Sequence, residues 1–477
     1  MIKSVSLIHL ALPFVGGFLV YLLPRWHRII CLGVLSVSLL FPLYLIVNGG
    51  SVFLNLKNNF GVTLYLDSTT GYFLLTNSLV TLATLIYCWQ EGRNVFFYSQ
   101  LMILFASVNG AFLSYDFITF YVAIEVLSIA AFLLISYNRN SQSIWIGLRY
   151  LFVSNVSMLF YLMGAVLVYK ANHSFSFQGL VNSPPEAIAL ILLGLTVKGG
   201  VFISGLWLPL THASVETPLS ALLSGVVVKA GLFPLIRLAT LSEDLEIIVG
   251  IMALAAVYLG GIQIIWAKDI KRLLALSTLS QLGYIIAAPP VAGFYALSHG
   301  LAKATLFLTT GKLPSRSLED LWQTGIKTSL WWVMTVSSLS LMGIPPLAGF
   351  VAKTVTLQQL LPWQTIPLTV ATLFTSIAFT KILIIPKNGE TTEIHQNHWL
   401  AFSLLTGIII TTGFIIPSAY TPDKLAKSLI LAATGFLISI PLLRGKEIQL
   451  PPFWENLENL LGMMSITLIG LFWMALF

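Results

Sequence analysis

Apolar residues run in stretches of about 18 to 25 along almost the whole chain, separated by short polar turns. A helical run of that length matches the roughly 30 Å core of a bilayer. The pattern predicts spans near 4–23, 28–48, 68–89, 95–113, 116–137, 144–169, 187–208, 217–238, 246–266, 273–289 and 291–312. It continues near 328–360, 364–386, 399–417, 427–443 and 460–477, for about 14–16 transmembrane helices. The seventh run is interrupted after Lys198 by the glycines of GGVFISG, and the twelfth is too long for one straight span and holds GIPP at 343–346. Both read as broken helices, because glycine and proline release backbone carbonyls at depth. The stretch from Ser51 to Leu66 alternates weakly and predicts a small hairpin.

Composition narrows the class. Hydrophobic residues make up 57% of the 477 and charged residues only 9%, against roughly 25% charged in soluble domains. The fold class expected is an all-α polytopic membrane protein. The first run has only Lys3 before it and no small-residue cleavage site after it, so it reads as a retained span and not a signal peptide. Cys31 and Cys88 sit at the ends of apolar runs and read as inert helix residues.

A net charge of +7 is no nucleic-acid footprint here, since basic residues of membrane proteins collect in cytoplasmic loops. Alternate connections, from Arg25 and Arg28 through Arg93, Arg139 and Lys268 to Arg444 and Lys446, hold thirteen Lys and Arg. The opposite side holds six: Lys3, Lys57, Lys170, Arg237, Lys424 and Lys427. That asymmetry puts both termini on the non-cytoplasmic side. Asp67 and Asp116 begin spans and read as helix caps. Lys381 and Arg149, near span ends, read as snorkelling; Trp207, Trp331 and Trp332 read as interfacial anchors; His395 and His398 read as solvated loop residues.

Five ionisable residues lie deep inside the runs: Glu125, Lys198, Lys229, Lys303 and Lys353. Each is roughly 13 to 18 Å from a span end, near the bilayer centre. A single pair, Glu125 with Lys198, could merely tie two helices together. Four lysines cannot all be neutralised by one glutamate, and charges at that depth mark an ion path. Burial disfavours the charged form of a lysine and a nearby carboxylate favours it, so Lys198 facing Glu125 would hold or release a proton as its neighbour changes. Lys229 would then relay to Lys303 and Lys353. His212, in the turn THASVE, and His299, four residues before Lys303 on the same helix face, are candidate links, each with a structural alternative. The two broken runs lie five spans apart, so a second unit matching the first would be inverted. No phosphate loop, dinucleotide motif, paired-cysteine metal pattern or nucleophile elbow is present, so no cofactor, metal or catalytic residue is expected in this chain.

At these residues the chain resembles the antiporter-like subunits shared by respiratory complex I, membrane-bound hydrogenases and Mrp-type multisubunit cation/proton antiporters. The matching stretches are WLPLTHASVETPLSALLSGVVVKAG (207–231), AKDIKRLLALSTLSQLGY (267–284), SHGLAKATLFLTTG (298–311) and LSLMGIPPLAGFVAK (339–353), with Glu125 upstream. The resemblance implies two inverted five-helix repeats, broken helices 7 and 12 and a hydrated proton path. It implies Glu125 and Lys198 as the charged pair, Lys229 as the bridging lysine, Lys303 as the central relay and Lys353 as the exit residue. The chain would divide into N-terminal helices (1–115), a first half with the Glu/Lys pair (116–238), a second half with the relay and exit lysines (239–386) and C-terminal helices (387–477). The family commonly has an Asp before its turn histidine, where this chain has Leu210 and Thr211; nor does a long lateral helix follow the last span. The segments SALLSGVVVKAG and LPPFWENLENLLG look most like the D-type subunits of Mrp antiporters.

The function expected is a proton-translocating membrane subunit of a multisubunit cation/proton (Na+/H+ type) antiporter. Its partners would be other membrane subunits, protons and monovalent cations and the lipid bilayer, with no nucleic acid. It would sit in the cell inner membrane or another energy-coupling membrane such as the thylakoid. The alternatives are a proton-pumping subunit of a complex I-like NAD(P)H or ferredoxin dehydrogenase or membrane-bound hydrogenase, a solitary transporter of an organic solute, and a structural subunit with inert charges.

Overall fold

Short polar side chains at the ends of the apolar runs set where helices begin. Asp67, Asn94, Asp116, Asn140, Ser242 and Asp269 each accept a hydrogen bond from the backbone N–H three residues on, satisfying a donor that the first helical turn leaves free. The computed structural model describes residues 2–56, 62–387, 389–390, 392–442 and 456–476. Lys57, Arg444, Lys446 and positions 450–455 of the LPPFWENLENLLG segment lie outside the described residues.

The chain opens with α1 (Ile2–Leu22), α2 (His27–Ser38) and α3 (Leu40–Asn48). The expected hairpin follows as β1 (Val52–Asn55) and β2 (Thr63–Leu66), antiparallel with Val52 opposite Leu66. Next come α4 (Ser68–Tyr87), α5 (Val95–Leu113), α6 (Phe117–Ile135) and α7 (Ser141–Asn172). Helix α8 (Pro185–Lys198) ends on its lysine, and after a break the chain resumes at 42° as α9 (Trp207–Ser214). Helix α10 (Thr217–Leu222) passes through a π-helical turn, Leu223–Val227, into α11 (Val228–Ala239). Then follow α12 (Glu243–Trp266), α13 (Ile270–Ala287), α14 (Ala292–Thr310) and the short α15 (Leu318–Thr324). The second break separates α16 (Thr328–Met342) from α17 (Ala348–Gln358), and α18 (Pro362–Leu383), α19 (Gln396–Thr412), α20 (Pro422–Leu442) and α21 (Leu457–Leu476) complete the fold.

Among the described residues eleven helices are each long and apolar enough to cross a membrane, or thirteen spans if each of two bent pairs is one span. The higher count from sequence treats α13 and α14 as separate spans. It also adds α19, of 17 residues, and the broken pair α16 and α17, of 15 and 11.

Helix α14 buries every residue from Ala292 to Thr310, and α11 buries every residue from Val228 to Ala239. Helix α14 packs against α4, α10, α13, α16, α17 and α19 and forms the axis of the molecule. The outer helices expose apolar side chains instead, among them Ile8, Phe18, Val47, Leu159, Leu437 and Trp473. A surface carrying many large apolar groups suits a hydrocarbon solvent.

Several polar residues lie deeper than the sequence suggested. Arg237, counted with a loop, is inside α11 and forms a bidentate pair with Asp67 at 2.6 and 2.7 Å, with a further bond to Thr70 at 2.8 Å. Burial opposes charge on Asp67, but the bonds and charge of Arg237 and the Thr70 amide outweigh it and hold the carboxyl below its usual range. Lys381 does not snorkel: its ammonium is buried and caps α12, donating to the carbonyls of Ile265 (2.6 Å) and Ala267 (2.9 Å). Trp207 is no interfacial anchor; it is buried and donates to the Val197 carbonyl at 2.7 Å. His398 is buried against Tyr87, and its Nδ1 accepts from the His395 amide at 3.0 Å, starting α19. Cys31 and Cys88 are free and buried, as expected.

Removing one partner of a buried ion pair leaves the other uncompensated. Asp67→Ala should therefore cost about 3 kcal/mol of stability, and the double change Asp67→Ala/Arg237→Ala should restore part of it. Because the Asp67 carboxyl is depressed in the folded state, the contribution is present at neutral pH and lost as pH falls through the carboxylate range. Thermal unfolding in detergent across that range measures both; a single change without effect would show the pair to be dispensable.

Candidate functional site

The lysines found in the apolar runs all lie inside the helical core: Lys198, Lys229, Lys303 and Lys353 are each less than a tenth exposed. Lys198 ends α8, and its three donor directions are filled by hydroxyls: Ser154 at 2.5 Å, Ser128 at 2.7 Å and Tyr150 at 3.2 Å. Glu125 lies one turn before Ser128 on α6 and acts on the ammonium at longer range, without direct contact. It is partly exposed on the flank of the bundle. The expected Glu–Lys pair makes no direct contact; the lysine bonds hydroxyls and the glutamate acts on it through its charge.

Lys229 uses its own helix. The π-helical turn before it widens the backbone, and the ammonium folds back onto the carbonyls of Gly225 (2.5 Å) and Ser224 (3.2 Å). Gly231, half a turn on, lets α11 press directly against the α8 break. A Cβ there would stand 2.6 Å from the Gly199 nitrogen and 2.8 Å from Lys198 Cγ. The same break holds Phe202 at φ 56°, ψ −150°, a conformation costing about 1–3 kcal/mol for a residue with a Cβ.

A hydrogen-bonded seam joins Lys229 to Lys303. The Ser224 and Thr278 hydroxyls bond at 2.7 Å; Thr278 donates to the Leu274 carbonyl at 2.9 Å; and Lys303 donates to that carbonyl at 2.8 Å and to the Ser277 hydroxyl. His299 lies within electrostatic reach of both lysines, and both its ring nitrogens lack a protein partner. A carbonyl can accept but not pass on a proton, so the groups able to relay here are the hydroxyls of Ser224, Ser277 and Thr278 and the His299 imidazole. His212 sits between Trp207 and Phe307, with ring centroids 6.3 and 6.4 Å away. The Leu208 and Leu223 carbonyls approach its ring without meeting full hydrogen-bond geometry, which leaves its nitrogens unpartnered.

Lys353 follows the second break. Gly343, at φ +88°, takes the left-handed turn that ends α16; a Cβ there would stand 2.9 Å from Lys353 Cδ. The ammonium donates to the Met342 carbonyl at 3.3 Å and lies 6.0 Å from the Tyr284 ring centroid. Tyr284 stacks on Tyr295, whose hydroxyl donates to Gln281 Oε1 at 2.6 Å, and Gln281 Nε2 donates to the Thr375 hydroxyl at 3.2 Å.

The acceptors were missed by sequence reasoning. Those on α13 had a signal, since Ser277, Thr278, Ser280 and Gln281 put four polar residues into one apolar run. Ser128, Tyr150 and Ser154 had none, being 44 to 70 residues from Lys198 in the chain.

The sequence profile of the family described as "NADH:quinone oxidoreductase/Mrp antiporter, TM" matches residues 114–380, more than half of the chain. The chain belongs to this family. All seven candidate residues, Glu125, Lys198, His212, Lys229, His299, Lys303 and Lys353, fall within the matched stretch. The chain is 28% identical over 392 residues to the D-type component of the Na(+)/H(+) antiporter of Alkalihalophilus pseudofirmus, covering 74% of this chain and 79% of that one. It is 28% identical over 336 residues to the N-type component of the NADH-quinone oxidoreductase of Desulforudis audaxviator, covering 61% and 65%. Its fold matches a chain of the Mrp complex from Dietzia sp. with a TM-score of 0.72 at 21% identity, over 98% of this chain and 100% of that one.

Removing the two α13 hydroxyls, Ser277→Ala with Thr278→Val, breaks the seam without removing a charge. Losing a hydrogen bond worth about 1.4 kcal/mol at the barrier would slow translocation roughly tenfold. Proton uptake by vesicles carrying the assembled complex measures this, and an unchanged rate would exclude these hydroxyls from the route.

Proposed function

We propose that this chain is the proton-translocating membrane subunit of a multisubunit cation/proton antiporter of the Na+/H+ type. The observation that carries the reading is the seam of hydroxyls and carbonyls joining Lys229 to Lys303 through a fully buried core. Around it stand four buried lysines and one partly exposed glutamate, more cationic sites than the carboxylate can neutralise together. Each lysine is stable as a neutral amine or, held by its acceptors, as an ammonium. A proton arriving at one therefore disfavours a proton on the next. In this reading Glu125 sets the charge of Lys198; Lys229, His299 and Lys303 pass protons along the core, and Lys353 releases them. His212, in the last turn of α9, links the path to the face where Arg93 pairs with Glu216 at 2.8 Å.

An ion gradient or a partner supplies the energy. The partners proposed are further membrane subunits, in an energy-coupling membrane with both termini on the non-cytoplasmic side. A second reading, a proton-pumping subunit of a complex I-like dehydrogenase, is favoured by the similarity to the NADH-quinone oxidoreductase component.

Purification of the tagged protein from its own membranes separates the two readings. Small hydrophobic partners without redox proteins support the antiporter, and iron–sulfur subunits support the dehydrogenase. In vesicles carrying the wild-type complex, adding Na+ or K+ should collapse an imposed pH gradient. Lys229→Ala should abolish that response while the complex still assembles; full activity in Lys229→Ala would overturn the proposal.

A further inference from the structure

The break at Lys353 adjoins a cavity of ≈ 130 Å³ between α17 and α20. Its walls include Lys353, Thr354 and Gln358 from α17 and Lys424, Lys427 and Ser428 from α20. Lys353 is buried at the inner end, whereas Gln358 and Lys427 are exposed, so the cavity grades from core to surface. Ser428 ties α20 to the break by donating to the Gly343 carbonyl at 2.6 Å. Lys424 is positioned by a bond to the Ser418 carbonyl at 2.9 Å. Three lysines therefore line one small cavity, and no Asp or Glu lines it among the described residues. Asp423, the residue before Lys424 on α20, is exposed and outside the lining.

We propose that this cavity is the water-filled mouth through which Lys353 exchanges its proton, and that Lys424 and Lys427 make it a filter that favours anions and excludes metal cations. The identification of the traffic as protons rests on the function proposed above; the charge filter does not. A fixed like charge roughly 6 Å away, at an intermediate effective dielectric, lowers the local concentration of a cation about tenfold. Two such residues, Lys424 and Lys427, belong to the cavity wall together with Lys353. A metal cation also needs several oxygen ligands to replace its hydration shell, and no carboxylate in these walls supplies them. A proton needs neither: Lys353 gives it to water or to a buffer anion, and the α20 lysines attract the anion. The metal cation of an antiport cycle then crosses elsewhere in the complex.

The test uses the intact complex in membrane vesicles, with Thr354→Cys and, separately, Ser428→Cys as reporters; the natural cysteines Cys31 and Cys88 are buried. Two membrane-impermeant thiosulfonates of similar size are compared, one bearing a sulfonate and one a trimethylammonium group, with rates normalised to a small free thiol. The expected result is labelling from one face only, with the sulfonate favoured. That preference should fall about tenfold in Lys424→Gln/Lys427→Gln. Failure of both reporters to label from either face overturns the mouth. Equal normalised rates, or a preference indifferent to the double change, overturns the filter. If the filter is found but the wild-type complex exchanges no cations for protons, the functional reading fails and the filter stands.

Discussion

A lysine ammonium buried at mid-membrane depth must meet acceptors, and in this chain hydroxyls and freed backbone carbonyls provide them. A carbonyl of a regular helix is already bonded to the amide four residues on and offers only its second lone pair, as Leu274 does to Lys303. Every buried lysine of the path therefore stands at an irregularity or beside a packed hydroxyl. Lys198 ends a helix, Lys229 follows a π-helical turn, and Lys353 follows a break at Gly343. Lys303 sits in a regular helix and takes its acceptors from α13. Irregularities and packed hydroxyls together are the means by which the charges are tolerated.

Acceptors of this kind leave the protonation state open. A direct carboxylate contact would fix each lysine as an ion pair, as it does for Arg237 with Asp67, where the groups are locked and structural. A hydroxyl or carbonyl bonds an ammonium and also tolerates a neutral amine beside it. Lys198 bonds the Ser128 and Ser154 hydroxyls, and Glu125 influences the lysine at longer range without bonding it. The contrast separates the two kinds of buried charge in this molecule by geometry alone.

Close packing brings the buried lysines' surroundings together. Gly231 brings α11 against Lys198, and the fully buried α14, which carries His299 and Lys303, packs against the π-helical turn before Lys229 and against α17, which carries Lys353. The tight backbone approach at Gly231 leaves no room for a side chain, so the spacing between the first two lysines depends on the absence of a single methyl group.

The sequence by itself determined the membrane class, the two helix breaks, the small hairpin and the four lysines that lie inside the helical core. An apolar run of bilayer length and a charge inside it are local facts, and glycine and proline mark breaks through their own backbone geometry. The acceptors were decided only by the tertiary structure. Serine and threonine are common in apolar helices, and nothing local tells that Ser128 and Ser154 face Lys198 from two other helices. The same holds for residues near span ends. Arg237 and Lys381 read as surface cations, because position along a helix does not reveal whether its end meets lipid, water or another helix's carbonyls. The π-helical turn at Leu223–Val227 carries no signal in its residues; with α10 it packs against α14, and it supplies the two carbonyls that hold Lys229.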